Sequence, residues 1–268
     1  FLDYFSDDPM TKIILMYVEG VKDGKRFANS LRRAAASKPV IITKGGRGKS
    51  GTRAVASHTA SLAGSSEIWS SLITQAGAVT AENLDDMIDF AAAFYFLPPT
   101  QGKRVGVAGG GGGACVLAAD ECEESGLDVV PLPDEIRQEM KERGIPTWDW
   151  VSNPADMSIT GGGNFPPADM LQMMNRHQIF DLLIANMREY QGASAEACYK
   201  EYALKDSNHK PLLVVTPDED LSLDDIARWQ TICAVKTKLL ADGIPFYPTV
   251  KRAATAASQL INYYRRRD

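Results

Sequence analysis

One histidine of this chain lies in a segment whose residue types suit chemistry. His58 is flanked by small and polar residues in Ala56-Ser57-His58-Thr59-Ala60-Ser61-Leu62-Ala63-Gly64-Ser65. The segment follows a predicted strand and precedes a predicted helix, so we expect a loop at the carboxyl edge of a sheet, where α/β folds bind ligands. Because a neutral imidazole is nucleophilic near neutral pH, His58 could accept a group and pass it on. The other two histidines, His177 and His209, lie in polar turns and are predicted to be surface residues.

Size and composition limit the class of protein. With 268 residues, the chain is expected to hold two domains. Its 34 acidic and 29 basic residues argue against a broad nucleic-acid surface. No apolar run approaches the roughly 20 residues of a membrane helix, and no signal peptide is visible, although Phe1 is not a native start. The cysteines form no CxxC pair and are predicted to be buried thiols of a cytoplasmic protein; they are Cys115, Cys122, Cys198 and Cys233.

The positions of the secondary structure elements follow from hydropathy. Strand-like apolar runs alternate with helical patterns in both halves, which predicts an α/β fold of two flavodoxin-like, doubly wound parallel sheets. Turn residues at 98–102 separate the halves, giving domains at 1–100 and 103–268. The predicted strands are 12–18, 39–43, 78–80, 104–108, 128–130, 181–186, 212–216 and 244–247. The predicted helices are 25–37, 66–76, 83–95, 114–124, 134–143, 224–242 and 253–264.

Two regions depart from a simple doubly wound pattern. The first half offers about three strands, so we expect its sheet to be incomplete, with a strand–helix–strand unit upstream of Phe1. The stretch Thr147–Pro167 is rich in Gly, Pro, Asn and Trp and predicts a long ordered loop. Loops of this length inside a domain are usually functional.

A second segment superficially resembles a nucleotide-binding P-loop. Gly45-Gly46-Arg47-Gly48-Lys49-Ser50 ends in the required Gly-Lys-Ser, but Thr43 stands where the motif needs its first glycine. The following Gly51-Thr52-Arg53 also predicts a poor helix start. We therefore favour a flexible basic loop that brings positive charge near an anion bound at His58.

The His58 segment closely resembles the phosphohistidine segment of ADP-forming acetyl-CoA synthetases, relatives of succinyl-CoA synthetase. The resemblance begins at Lys38-Pro39-Val40-Ile41-Ile42 and continues through Lys49-Ser50-Gly51 to Gly64. Tyr17-Val18-Glu19-Gly20 resembles the strand-end motif of that family. In the second half, 106–113, 116–120 and Asn153-Pro154-Ala155-Asp156 resemble the other flavodoxin-like ligase domain. Ala60, where the family commonly has Gly, is a departure.

The resemblance implies an activity. Such enzymes interconvert acyl-CoA, ADP and inorganic phosphate with carboxylic acid, CoA and ATP, through an acyl phosphate and a phosphohistidine. It implies CoA, ATP or ADP with Mg and phosphate as cofactors and substrates, and an oligomer. The CoA-binding and ATP-grasp domains of the family would belong to the same or a separate chain. Because neither matches these 268 residues, we expect this fragment alone to show no turnover.

The resemblance also implies roles for particular residues. His58 would carry the phosphoryl group, and Glu19 would hold the imidazole in the right tautomer, within roughly 2.6–3.2 Å of it. The alternative for Glu19 is a solvated carboxylate at a strand end. A glycine run before a helix would bring backbone N–H groups to the phosphate; its residues are Gly109, Gly110, Gly111, Gly112 and Gly113. The alternative for the run is a dinucleotide site, but no acidic residue closes the expected strand about 20 positions on, where such a site requires one.

Two other functions remain open from the sequence. Similar ligase-like domains occur fused to protein lysine acetyltransferases, where they would sense metabolites rather than catalyse. An unrelated flavodoxin-like binding module would require the match around His58 to be accidental. The presence of both Glu19 and His58 favours catalysis, while the acyl group stays open.

Overall fold

The chain folds into two compact units. A computed structural model describes residues 1–59, 66–160, 165–187, 194–204, 209–216 and 226–267. The first unit comprises Phe1–Tyr95 with Asn262–Asp268, and the second comprises Phe96–Ile261. None of the helices in the described residues is long and apolar enough to cross a membrane.

The first unit is built on a parallel sheet of three strands in the order β1-β2-β3. The strands are β1 (Ile14–Val18), β2 (Val40–Lys44) and β3 (Val79–Ala81), as expected from their apolar runs. Val18 is paired with Lys44, so the carboxyl ends of β1 and β2 lie side by side. The helices between and around them are α1 (Leu2–Asp7), α2 (Gly24–Ser37), α3 (Lys49–Thr59), α4 (Ser66–Ala76) and α5 (Leu84–Phe96).

The strands of this unit differ in how they are covered. In β2 the first four residues are buried, as in a strand covered on both faces. In β1 burial alternates, and the side chains of Leu15 and Tyr17 are exposed on one face. Helix α2 covers the other face: Leu31 and Ala34 are fully buried against Val40 in the core of this unit.

The second unit has a parallel sheet of five strands in the order β5-β4-β6-β7-β8. Its strands are β4 (Arg104–Gly109), β5 (Asp128–Val129), β6 (Leu182–Asn186), β7 (Leu212–Val215) and β8 (Phe246–Tyr247). Its helices are α6 (Gly112–Glu124), α7 (Asp134–Glu142), α8 (Pro167–Arg176), α9 (Ala195–Tyr202), α10 (Ile226–Ala241) and α11 (Val250–Arg265). From β4 the chain moves outward to β5 and then returns past β4 to β6. The carboxyl ends of β4 and β6 therefore flank the topological switch point, where open α/β sheets bind ligands.

The segment after α7 is tied to β4 by one side chain. Asn153 Oδ1 accepts a hydrogen bond from Val107 N at 2.8 Å, and Asn153 Nδ2 donates to Val105 O and Val130 O at 2.8 Å each. Two residues later, Ala155 forms a parallel bridge with Ala108. The described part of the predicted 147–167 loop is thus ordered, because the Asn153 amide and the backbone of Ala155 form hydrogen bonds with the backbone of β4.

Four helices were not expected from the sequence. The most important is α3, because it contains His58 in its last turn, where we expected a loop. Helices α1, α8 and α9 were also missed, since each is only six to ten residues long. Helix α6 begins at Gly112, two residues earlier than the predicted start at Ala114.

Candidate active site

Glu19 lies directly after β1, at the carboxyl edge of the first sheet. The adjacent edge of β2 is held against it: Gly45 N donates to Val18 O at 2.9 Å. Lys44 Nζ donates to the backbone oxygen of Glu19 at 2.6 Å and also to Gly45 O. The Glu19 side chain is half-buried, and its Oε1 accepts a hydrogen bond from the hydroxyl of Tyr17 at 3.4 Å.

Lys44 contributes a cation beside this carboxylate. Burial lowers the pKa of Lys44, and the charge of Glu19 partly opposes that shift. The ammonium lies 5.8 Å from the centroid of the Trp69 ring, within cation–π distance. Because its hydrogen bonds go to backbone oxygens, Lys44 joins the ends of β1 and β2 and leaves the Glu19 carboxylate available to another donor.

The backbone of His58 lies in α3, which corrects the expectation of a loop. The side chain of His58 lies outside the described residues, as does the segment 60–65 that follows α3. The expected hydrogen bond between Glu19 and the imidazole therefore stays a prediction. Along an ideal helix, position 58 is about 13 Å from Lys49, the first residue of α3. The direction of α3 therefore decides whether His58 can reach Glu19.

Contacts of Gly46 show where the first turns of α3 pack. A Cβ atom at Gly46 would lie 2.9 Å from Val55 Cγ2, so Val55 packs onto the loop that follows β2. Thr52 Oγ1 donates to Gly46 O at 3.1 Å from the preceding turn of the helix. The first turns of α3 therefore pack against the loop at the carboxyl end of β2. Position 58 lies about one turn beyond Val55 along the helix.

The glycine-lysine-serine segment forms a strand–loop–helix after all. We expected a poor helix start after Ser50, but α3 begins at Lys49 and includes Gly51. The segment still lacks the first glycine of a P-loop, because that position is occupied by Thr43, a buried residue of β2. Arg47 does not project freely: its guanidinium bonds to the carboxylate of Glu82 and, at 2.6 Å, to Glu82 O.

In the second unit the glycine run forms the turn from β4 into α6. Gly109 is the last residue of β4, Gly110 forms the turn, Gly111 is the N-cap, and Gly112 and Gly113 begin α6. Gly109 has φ +115°, and a Cβ there would lie 2.9 Å from the carbonyl carbon of Asn186, so another residue would be strained. The N-cap has no side-chain partner for the first N–H groups of the helix. Those donors suit an anion.

Three side chains beside this turn were not among the expected site residues. Asn186 ends β6, and its Nδ2 lies 3.2 Å from where a Cβ of Gly110 would be. The segment held by Asn153 brings Asp156 Oδ2 within 3.2 Å of a Cβ at Gly112 and Ser158 Oγ within 3.7 Å of one at Gly111. A signal for Asn186 existed, since a polar residue at the predicted end of β6 faces the switch point. No such signal existed for Asp156 and Ser158, which reach the turn because Asn153 and Ala155 pair with β4.

The remaining titratable groups have structural explanations. Burial raises the pKa of Cys115 to about 11 and that of Cys122 to about 12, which keeps both thiols protonated. Cys198 is also buried and Cys233 is half-buried, as expected for free thiols. His177 and His209 are half-buried and bonded locally, His177 lying 3.6 Å from Glu135 and His209 2.7 Å from Lys210 O. Among the described residues no group of three acidic, histidine or cysteine side chains could hold a metal ion.

Comparison with known proteins gives this geometry a family. Residues 1–94 match the family described as succinyl-CoA ligase like flavodoxin domain. The subunit alpha of acetate–CoA ligase [ADP-forming] I from Pyrococcus furiosus is 33% identical over 265 residues, which are 98% of this chain and 54% of that protein. The 4-hydroxybutyrate–CoA ligase [ADP-forming] of Nitrosopumilus maritimus is 33% identical over 167 residues, 61% of this chain and 23% of that protein.

A solved structure extends the match to nearly the whole chain. The dinucleotide-forming acetyl-coenzyme A synthetase 1 of Ca. Korarchaeum cryptofilum, determined with phosphate and ADP, superposes with a TM-score of 0.79 at 29% identity. The match covers 99% of this chain and 56% of that one, so the chain spans about half the length of this synthetase and of the Pyrococcus furiosus subunit. Residues 1–94 thus match the succinyl-CoA ligase like flavodoxin domain, and nearly the whole chain is similar to ADP-forming acyl-CoA ligases.

Proposed function

We propose that this chain is the phosphohistidine-carrying part of an ADP-forming acyl-CoA ligase. One observation supports the proposal: Val55 of α3, the helix that contains His58, packs on Gly46, next to the Gly45 that contacts Tyr17 beside Glu19. The fold and the relatives described above point to the same class of enzyme. The regulatory role beside a lysine acetyltransferase draws no support from those relatives.

In the proposed reaction, His58 acts as a relay. Phosphate attacks the acyl thioester, and the acyl phosphate forms as CoA leaves. A ring nitrogen of His58 then attacks phosphorus, which breaks the bond to the acyl oxygen and releases the carboxylate. An oxygen of ADP next attacks the phosphohistidine, so ATP forms and the ring nitrogen is restored. Glu19 would hold the proton of the other ring nitrogen and stabilise the charged ring.

The substrates of the whole enzyme follow from this proposal. CoA, a nucleotide and phosphate would be used, with Mg as the expected companion of the nucleotide. We expect CoA-binding and ATP-grasp domains to complete the active site, in the same or a separate chain. The first N–H groups of α6, after the turn at 109–113, are proposed to bind phosphate oxygens in this enzyme.

Labelling of the intact enzyme tests the relay. With ATP labelled in its γ-phosphate, label should become bound to His58 through an acid-labile, base-stable bond, as in a phosphoramidate. His58→Asn should abolish labelling and turnover, because it removes the nucleophilic nitrogen. Glu19→Gln should reduce both less severely, since the amide keeps part of the orientation.

A matched substitution and two rival acceptors complete the experiment. His177→Asn removes an imidazole that contacts Glu135 and the backbone N–H of Ile179 in the second unit, so labelling should be unchanged. Ser57 and Ser61 are the neighbouring hydroxyl groups that could accept phosphate instead. Label that persists in His58→Asn, or that survives acid, would place the acceptor elsewhere and contradict the relay.

A further inference from the structure

The Glu19 carboxylate is contacted by a hydroxyl from its own strand end. Tyr17 lies in β1, and Glu19 lies in the bend that follows this strand, two residues later. The Tyr17 hydroxyl is 3.4 Å from Glu19 Oε1. Within the described part of the chain, it is the donor that reaches this carboxylate. Tyr17 is 56% exposed, so the position of its side chain is not explained by burial in the core.

Gly45 provides the space that the Tyr17 ring occupies. A Cβ at Gly45 would lie 2.9 Å from Tyr17 Cζ and closer still to the hydroxyl. Gly45 does not have a positive φ, unlike its neighbour Gly46, so its backbone conformation is open to any residue. The absence of a side chain at position 45 therefore matters for space, and the group that uses this space is the end of Tyr17.

The backbone on both sides of this contact is fixed by Lys44. Its ammonium donates to the carbonyl oxygens of Glu19 and Gly45, one on each strand end. The backbone at Glu19 is thus fixed, but these hydrogen bonds do not restrain rotation of the Glu19 side chain. A hydrogen bond to Oε1 restrains that rotation and leaves Oε2 free to accept the N–H of an imidazole.

We propose that Tyr17 is a positioning residue for Glu19, and that Gly45 leaves the space that the Tyr17 ring occupies. This inference rests on the proposed function, because it gives Glu19 the task of orienting His58. Tyr17 takes no part in bond making. Its hydroxyl orients the carboxylate before the imidazole is phosphorylated, and that orientation would otherwise have to be gained at each turnover.

Tyr17→Phe in the intact enzyme tests the inference, because it removes the hydroxyl alone. We expect kcat to fall about threefold to tenfold, the change that corresponds to the net contribution of one ordinary hydrogen bond. The KM values for CoA and nucleotide should stay within about twofold, since Tyr17 binds neither substrate. The phosphohistidine, formed with labelled ATP, should also form more slowly. Tyr4→Phe is the matched control: Tyr4 is exposed and lies on α1, and its variant should keep the original rates.

Two double variants separate positioning from a general structural effect. In the Glu19→Gln enzyme, Tyr17→Phe should cost less than twofold, because the charged acceptor is gone. Gly45→Ala should reduce kcat by displacing the ring, and it should cost less when combined with Tyr17→Phe. Equal costs of Tyr17→Phe in the original and Glu19→Gln enzymes would overturn the inference.

The labelling outcome distinguishes this inference from the function on which it rests. If Tyr17→Phe enzyme is labelled on His58 at the original rate, the positioning role is wrong and the relay stands. If the original enzyme carries no acid-labile label on His58, the relay itself is wrong, and the inference falls with it.

Discussion

Val55 of α3 packs against Gly46, and a Cβ added at Gly46 would lie 2.9 Å from Val55 Cγ2. Together with the hydrogen bond from Thr52 Oγ1 to Gly46 O, this contact holds α3 against the loop that follows β2. A larger residue at position 46 would displace Val55 and with it the helix that contains His58.

Gly46→Ala should therefore destabilise the first unit. The residue has φ +72°, so alanine adds backbone strain to the clash with Val55. We expect a loss of about 1–3 kcal/mol in unfolding free energy, measured by hydrogen exchange of amides in α3. Gly48→Ala is the control, because a Cβ there meets nothing within 4 Å and φ is not positive. Equal protection of α3 in both variants would contradict the packing role of Gly46.

Gly113→Ala should report on phosphate at the start of α6. A Cβ at Gly113 meets no atom of the described chain within 4 Å, so alanine should leave stability unchanged or raise it by about 0.5–1 kcal/mol. In the intact enzyme the added methyl group should raise KM for inorganic phosphate if the anion approaches this helix end. Gly109→Ala should instead unfold the turn, because of φ +115° and the backbone of Asn186. An unchanged KM for phosphate in Gly113→Ala would place the anion elsewhere.

Asp181→Asn should destabilise the second unit in a pH-dependent way. Burial raises the pKa of Asp181, but three hydrogen bonds from Arg104 outweigh it and bring the pKa below 3.8. A lowered carboxyl pKa stabilises the fold above pH 3.8. This stabilisation is lost as the pH falls through the pKa that the carboxyl group has in the folded state. Between pH 5 and 7, the free energy of unfolding of the variant should be about 1–3 kcal/mol lower than that of the original protein. This difference should shrink below about pH 4. Denaturant unfolding at pH 7 and pH 3 checks this, and a constant difference would contradict it.

The four thiols should differ in reactivity. Because burial raises the pKa of Cys115 to about 11 and that of Cys122 to about 12, little thiolate exists at either residue at pH 8. Cys198 is buried and its pKa is raised as well. We expect Cys233, the half-buried thiol, to react first with an alkylating reagent, as mass spectrometry of the peptides would show. Rapid alkylation of Cys122 in the folded protein would contradict its burial.

Much of the architecture could be predicted from local pattern. Continuous apolar runs such as Val40–Ile42 mark strands covered on both faces. Each of the eight strands of the described chain overlaps a predicted run, and β2, β3 and β4 end one residue later than predicted. The strand ends, and hence the carboxyl-edge position of Glu19 and Gly109, follow from the same runs because parallel strands present one edge. The residues around His58 also carried enough chemistry to predict its family.

Long-range contacts decided the details of the site. The sequence around His58, rich in small and polar residues, favours a loop, yet packing of Val55 on Gly46 stabilises a helix through Thr59. Likewise, Asp156 and Ser158 reach the glycine turn only because Asn153 pairs with the edge of β4, 46 residues earlier in the chain. Local propensities amount to a few tenths of a kcal/mol per residue, whereas one buried packing contact or amide bridge is worth about 1 kcal/mol or more. The sequence alone therefore determined which residues could react, and the tertiary structure decided which neighbours they have.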